Sequence, residues 1–355
     1  MIAHFSVILR TVFGQVFRRH LGLLALVAMH ACIAVAIGIA LGVPYQSGMA
    51  GRLITLFQIF LPCFLFILLL WQFGKMALVI RPDKPIAWLA SYLRPLLLDC
   101  DRLMGGLLAL AAVALFIGSF SFVKPLIPRM APFSWDPELA ELDRLLHFGL
   151  DPYKLLMPLM AHPYVLKALN IAYHAWFFLF YFFVFVAAFS KGRERNIFLC
   201  AFVLTWALGG NGLAILLSSG GPVYYEALGF GTDFAPLMEM LRAADDVTTL
   251  WALDVQASLW DSYRGLAAPR GISAMPSMHV AISVLMTLYA YRHSSWAGRI
   301  LLAFTAVIMV GSVALAWHYA VDGYVGAAVA LACWQMARRM NREAVVACQD
   351  MKLAI

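Results

Sequence analysis

Pro276-Ser277-Met278-His279 and His318-Tyr319-Ala320-Val321-Asp322 are the stretches of this chain whose residue types and spacing suit chemistry. Both lie at the ends of hydrophobic segments. Ionisable side chains are costly there and are by default a functional hypothesis. His318 and Asp322 are spaced i, i+4, which on a helix places them on one face. A carboxylate so placed can hold one imidazole nitrogen and leave the other pointed at a substrate. His279, at the start of a neighbouring apolar segment, is positioned to protonate a leaving group. Together the three residues are the minimum for nucleophilic displacement with acid assistance. Two other readings stay open: a metal ion held by His279, His318 and Asp322, and a structural helix-end pair with no chemistry.

The elements that must position these residues are membrane-spanning. Of 355 residues, 63% are hydrophobic and 13% charged, against about 25% charged in a soluble domain. The formal net charge of +7 is no nucleic-acid footprint. Its basic residues flank apolar runs, where they set orientation, and no nucleic-acid partner is expected. The first apolar segment is too long for the hydrophobic region of a cleaved signal peptide. Six cysteines, Cys32, Cys63, Cys100, Cys200, Cys333 and Cys348, match no metal spacing and read as small core residues.

About 20 apolar residues cross a bilayer core. On that measure the chain has eight candidate spans: 21–43, 53–72, 103–123, 165–190, 196–217, 276–291, 300–317 and 319–337. With the N-terminus inside, the short inner segments hold most of the lysines and arginines, including Arg18, Arg19, Lys75, Arg81, Lys191, Arg193, Arg195, Arg338 and Arg339. This predicts cytoplasmic termini and an outer location for His279 and His318. Two long outer segments remain. In 124–164, Asp136-Pro137 and Asp151-Pro152 are helix-start signals. Leu139, Leu142, Leu145 and Leu146 then fall on one face, as in a helix lying on a membrane surface. The segment 218–275 reads as a long functional loop. Asn211, in Gly209-Gly210-Asn211-Gly212, is expected to hydrogen-bond between helices. Trp317, Tyr319 and Tyr324 read as interfacial aromatic residues, and Tyr173 and His174 as packing or lipid-contact residues. His4, His20, His30, His147, His162 and His293 show no partner pattern.

Pro276-Ser277-Met278-His279 and Trp317-His318-Tyr319-Ala320-Val321-Asp322-Gly323 resemble the second and third signatures of the type 2 phosphatidic acid phosphatase superfamily. The surrounding sequence resembles its inositol phosphorylceramide synthase-like branch, through Gly220-Gly221-Pro222-Val223-Tyr224-Tyr225, Ala274-Met275 and Asn170-Ile171-Ala172-Tyr173-His174. The resemblance covers roughly 135–338. It implies that His318 attacks phosphorus and becomes a phosphohistidine, that Asp322 orients and charges it, and that His279 protonates the leaving oxygen, without a metal or other cofactor. The departures are specific. Met278 stands where glycine is usual, and Ser312 where an arginine is expected. The first signature is missing: Lys75 with Arg81-Pro82 has the wrong spacing and lies on the expected inner side.

Phosphoryl transfer needs in-line positioning and neutralisation of the equatorial oxygens. Ser277 and the N–H groups at the start of its helix are suitable donors, Arg264 and Arg270 are the nearest cations on the long segment, and Tyr224 and Tyr225 are candidates for a headgroup site or for anchors of that segment. The expected fold is all-α: a polytopic transmembrane bundle with a six-helix phosphatase-like catalytic core and interfacial helices. Its expected parts are N-terminal helices without a recognised motif (1–123), a catalytic membrane domain (124–338) and a cytoplasmic tail (339–355). The expected activity is lipid phosphotransfer at the outer face, from a membrane lipid phosphate or phospholipid to an alcohol acceptor. Hydrolysis of a lipid phosphate or polyprenyl pyrophosphate is the alternative, and a non-enzymatic lipid transporter or scaffold is the rival from another class.

Overall fold

A computed structural model describes residues 2–353, with side chains described for 14–94 and 98–341. The side chains of His4, Arg10 and Cys348, and residues 354–355 of the expected tail, therefore lie outside what is described. All the regular structure among the described residues is helical. The elements, in order, are α1 (Ile2–Ala40), α2 (Met49–Ile80), α3 (Pro85–Leu98), α4 (Cys100–Val123), α5 (Asp136–Leu146), α6 (Pro152–Met160), α7 (Pro163–Phe189), α8 (Arg193–Leu216), α9 (Ala235–Val247), α10 (Trp251–Tyr263), α11 (Met278–Tyr291), α12 (Ser295–Ala314) and α13 (Ala320–Leu353).

Seven of these helices contain a stretch long and apolar enough to cross a membrane: α1, α2, α4, α7, α8, α12 and α13. The chain is an integral, multi-pass membrane protein. α11 is the eighth expected span and is shorter, 14 residues, about 21 Å at 1.5 Å per residue. Helices α4, α7, α8, α11, α12 and α13 pack as one bundle, with α1 laid against α4 and α8. α2 lies at the edge of this core, touching α4 and α7 through Leu56, Phe60 and Phe64. Only 6% of its most apolar window is buried, so nearly all of its hydrophobic surface faces outward.

Successive helices run up and down, so segments 41–48, 124–162, 217–277 and 315–319 gather at one end. Hydrogen bonds stitch them together: Ser134 N–H to Ser218 C=O (3.1 Å), Val223 N–H to Ala316 C=O (3.1 Å) and Ala274 N–H to Ser219 C=O (2.9 Å). Here the segment 218–275 departs from the loop expected. It folds into α9 and α10 and forms a cover, because Leu237, Leu241, Ala244 and Ala252 are buried, the first three in the main core.

The surface segment 124–164 also differs from its expected form. α5 begins at Asp136, but the Asp136 side chain turns away from its own helix to bond elsewhere. Leu139 is buried, whereas Leu142, Leu145 and Leu146 are exposed. The face buried against the protein carries Asp136, Ala140 and Asp143. The leucines are left outward, as suits a helix at a lipid surface.

Polar residues between helices have partners that sequence spacing did not reveal. Asn211 lies in a π-helical stretch, Thr205–Leu213, and its Oδ1 meets His30 Nε2 at 2.9 Å. That bond joins α8 to α1, as expected of an interhelical asparagine. His20 meets the buried Arg195 guanidinium. The described cysteines are free, with Cys200 and Cys333 buried.

Candidate active site

His318 lies in the short turn between α12 and α13, not on a helix. Its N–H, and that of Trp317, donate to Ser312 C=O at 3.1 and 3.0 Å. Asp322, in the first turn of α13, reaches back. Its Oδ2 accepts from Tyr319 N–H at 3.1 Å and lies 3.2 Å from His318 Nδ1. The pair expected from i, i+4 helical spacing therefore forms by a different geometry. A carboxylate at a helix N-terminus bonds the unpaired N–H groups there and turns its remaining capacity to the imidazole. Asp322 is fully buried and His318 is 8% exposed. With Nδ1 engaged, the other ring nitrogen of His318 is the one available to a substrate.

Ser277 and His279 begin α11. Ser277 is buried and caps the helix, its Oγ accepting from Val280 N–H at 3.5 Å. Its own N–H donates to Asp322 C=O at 2.9 Å. This contact ties the two motifs together and depends on a glycine. A Cβ on Gly326 of α13 would lie 2.5 Å from the Ser277 carbonyl oxygen.

The His279 ring sits in an aromatic cage. Tyr173 stacks on it at 4.1 Å, Trp176 lies 4.2 Å away, and Phe177 presents an edge at 5.6 Å. Trp176 Nε1 donates to His279 C=O at 3.1 Å and fixes the backbone. Tyr173 is also parallel to Trp317, the neighbour of His318, at 6.2 Å. Four buried atoms around this centre have no protein hydrogen-bond partner: His279 Nε2, Tyr173 Oη, Trp317 Nε1 and Asp322 Oδ1. Buried polar atoms are normally satisfied, so such a concentration marks a place built for other partners. Tyr173 is thus packed at this centre, in keeping with the packing half of its expected role, and Trp317 stands beside it and not in the interfacial belt expected. Tyr319 is buried too.

Asp136, expected only as a helix start, and Asp143, not singled out by the sequence, hold this centre together. Asp136 accepts from Gly220 N–H (2.8 Å), Gly221 N–H (2.7 Å) and Tyr319 O–H (2.9 Å). Asp143 accepts from Ala320 N–H (2.6 Å) and Val321 N–H (2.8 Å), the first N–H groups of α13. Burial pushes both carboxyls above the usual aspartate range, and the N–H bonds offset this only in part. Their i, i+7 spacing, two turns along one helix face, was the available signal.

The expected substrate-binding residues are brought in unequally. Ser277 is at the centre. Tyr224 is buried inside the cover, donating to Gln256 C=O at 2.9 Å and stacking on Trp260. Tyr225 is buried against Phe230 and Phe234. Both anchor the cover and do not line an open headgroup site, because the cover's own helices close over them. Arg270 is exposed, bonds Ser258 Oγ at 3.3 Å, and lines a separate cavity. Arg264 is exposed at the end of α10. Neither arginine is placed against His279, His318 or Asp322. The space beside His318, walled by Asp143, Tyr153, Phe234 and Tyr319, is about 10 Å³, the scale of one water. Among the described residues, His279, His318 and Asp322 do not form a group arranged to hold a metal ion.

The family model for the PAP2 superfamily matches residues 137–336, from α5 to the membrane part of α13. The chain belongs to the PAP2 superfamily. No curated protein and no solved structure matches it. Members of this superfamily are generally phosphatases, and a membrane-embedded member acts on lipid phosphates, so the chain is a membrane-embedded enzyme of phosphatase type. The aromatic cage, His279, His318, Asp322 and Asp143 all fall within the matched span, and Asp136 lies just before it.

Proposed function

We propose that this PAP2 protein is a lipid phosphotransferase acting through a phosphohistidine. The observation that carries the reading is the 3.2 Å contact between His318 Nδ1 and Asp322 Oδ2, which leaves the second ring nitrogen as a nucleophile. Attack by that nitrogen on phosphorus forms the P–N bond as the P–O bond to the leaving group breaks. Asp322 balances the charge that grows on the imidazole. His279 Nε2, buried and without a protein partner, gives the proton to the departing oxygen. In the second half, an alcohol oxygen attacks phosphorus, the new P–O bond forms as the P–N bond to His318 breaks, and His279 Nε2 takes the alcohol's proton. Phosphate oxygens are met by N–H dipoles at the start of α11 rather than by a ring of arginines; the first N–H groups of α13 are already bonded to Asp143. This chemistry calls for no metal.

Two features favour an alcohol acceptor over water. The folded cover of α9 and α10 is larger than a bare phosphatase site needs, and the space beside His318 is water-sized. A covered phosphohistidine is protected from hydrolysis until an acceptor is admitted. The segments 170–174 and 220–225 resemble the inositol phosphorylceramide synthase-like branch. Tyr173 from the first stacks on His279, and Gly220 and Gly221 from the second hold Asp136. The active end is assigned to the outer side of the membrane, on the basic-residue asymmetry.

Purified protein incubated with a donor lipid carrying labelled phosphate and a panel of lipid and polyol alcohols tests this reading. A labelled, phosphorylated acceptor and an acid-labile phosphoprotein, both absent in His318→Ala, are expected. Inorganic phosphate as the sole labelled product across the panel would make the enzyme a hydrolase. Activity lost to a chelator and restored by one divalent ion would replace the metal-free mechanism.

A further inference from the structure

The end of the bundle that carries His318 also holds a cavity of about 900 Å³ that is separate from the histidine site. Three arginines line it: Arg52 from the start of α2, Arg129 after α4, and Arg270 from the segment leading to α11. No described carboxylate does. None of the three is in an ion pair among the described residues, unlike Arg19, Arg144 and Arg292. Arg129 donates to Leu41 C=O at 3.4 Å and Arg270 to Ser258 Oγ at 3.3 Å, both neutral acceptors. Three guanidinium groups around one space repel one another and favour an anion between them.

The walls are structured. Gly118 lets segment 43–48 cross α4 in backbone contact, since a Cβ there would lie 1.6 Å from the Ser47 carbonyl oxygen. Tyr45 Oη meets Ser119 Oγ at 2.7 Å and fixes that crossing. The remaining lining is largely apolar, with Phe122, Leu126 and Ile272. The cavity sits where the membrane-crossing stretches Met49–Ile80 and Cys100–Met130 end. Span ends lie at headgroup depth, and α2, which supplies Arg52, has only 6% of its most apolar window buried.

We infer that this cavity binds the phosphate headgroup of an anionic phospholipid, whose acyl chains stay in the bilayer beside α2. Arginine's planar fork suits phosphate oxygens, and an ordinary soluble anion would have no use for the apolar half of the lining. The assignment does not depend on the chemistry proposed for His318.

The test uses the full chain in neutral detergent, carrying His318→Ala so that turnover does not obscure binding, titrated with dansyl-labelled phosphatidylglycerol. Saturable binding is expected, weakened about tenfold by each of Arg52→Gln, Arg129→Gln and Arg270→Gln. Arg→Lys at the same positions should lose less, which keeps the test readable if a glutamine variant misfolds. Elution volume and melting temperature report folding. Unlabelled diacylglycerol should not compete. Unchanged phosphatidylglycerol binding in a folded triple Gln variant overturns the inference, as does competition by diacylglycerol equal to that of unlabelled phosphatidylglycerol. Inorganic phosphate alone competing as well as the lipid would make the occupant a free anion and overturn the lipid assignment. Arginine-dependent lipid binding in a protein whose unmutated form never phosphorylates His318 would sink the catalytic reading and leave this one standing.

Discussion

The two ends of the helix bundle differ in how they use carboxylates: both carry ion pairs, such as Arg144 with Asp151 at the His318 end, but among the described residues only the His318 end also commits buried carboxylates to backbone N–H groups of distant segments. At the end carrying His318, Asp136 and Asp143 are buried and accept backbone N–H groups from the 220–221 turn and the start of α13. At the far end, carboxylates are more exposed and pair with cations: Asp101 with Arg19 at 2.8 Å, Glu194 with Arg292 at 3.2 Å, and Asp99 with Lys191. Exposed pairs contribute about 0–1 kcal/mol and set orientation more than geometry. A buried carboxylate on two N–H groups holds a loop in one position, at the expense of desolvating a charge. The active end tolerates that penalty because His318 sits on a turn with no helix of its own to hold it. Asp143 holds the first N–H groups of the next helix, and Asp136 holds Tyr319, the residue after His318.

The largest expected effect tests whether the buried end serves chemistry. His318→Ala should abolish turnover while leaving elution and helical content unchanged. Asp322→Asn should slow turnover by about 10⁴, as when a triad loses its orienting carboxylate. His279→Ala should hurt substrates with poor leaving groups far more than activated esters. Equal losses on both ester types would remove His279 from proton transfer.

Asp143→Ala comes next. It leaves two buried N–H groups without an acceptor, at about 2 kcal/mol or more. The freed turn should lower kcat about a hundredfold, since an error of about 1 Å in placing a nucleophile is enough. Wild-type melting and turnover in this variant would show that the buried carboxylates do not position the site.

A smaller effect is the pH dependence. The Asp136 and Asp143 carboxyls are raised in the folded protein. The folded state therefore holds their protons more tightly than the unfolded chain does. The stability they contribute is full below the unfolded value of about 3.9 and declines as pH rises through the folded values. Asp136→Asn should flatten the fall in melting temperature on going up from about pH 4, although its amide satisfies one N–H fewer. An unchanged slope would mean that the pH dependence arises elsewhere.

The smallest effect belongs to the far end. Arg292→Ala removes an exposed pair and should cost less than about 0.5 kcal/mol with no change in kcat. A large loss of activity there would erase the contrast between the two ends.

Much of the architecture was legible in the residues. Apolar runs long enough to cross a bilayer have few alternatives to helix, and each expected span corresponds to an observed helix, including the short α11. His318 and Asp322 were identifiable because ionisable residues at the ends of such runs are rare. The cover was misread as a loop because Gly, Pro and Tyr at its start hid two short helices whose stability comes from packing, not propensity. Arg264 and Arg270 were assigned to substrate as the nearest cations along the chain, yet both lie on the surface; of the two roles open to Tyr224 and Tyr225, headgroup site or anchor, their burial inside the cover fits the anchor.

The sequence by itself determined the features that local chemistry dictates: an all-helical membrane protein, the positions of its spans, and a histidine with a carboxylate close enough along the chain to meet it. Only the tertiary structure decided how distant segments join. Asp136 reaches Gly220, and Asp143 reaches Ala320. Tyr173 stacks on His279, and Arg52, Arg129 and Arg270 surround one cavity. The physical reason is that a span is specified by the free energy of its own side chains in lipid, residue by residue. A partner across the bundle is chosen by which helix faces meet, and side-chain periodicity along one helix carries almost no information about that.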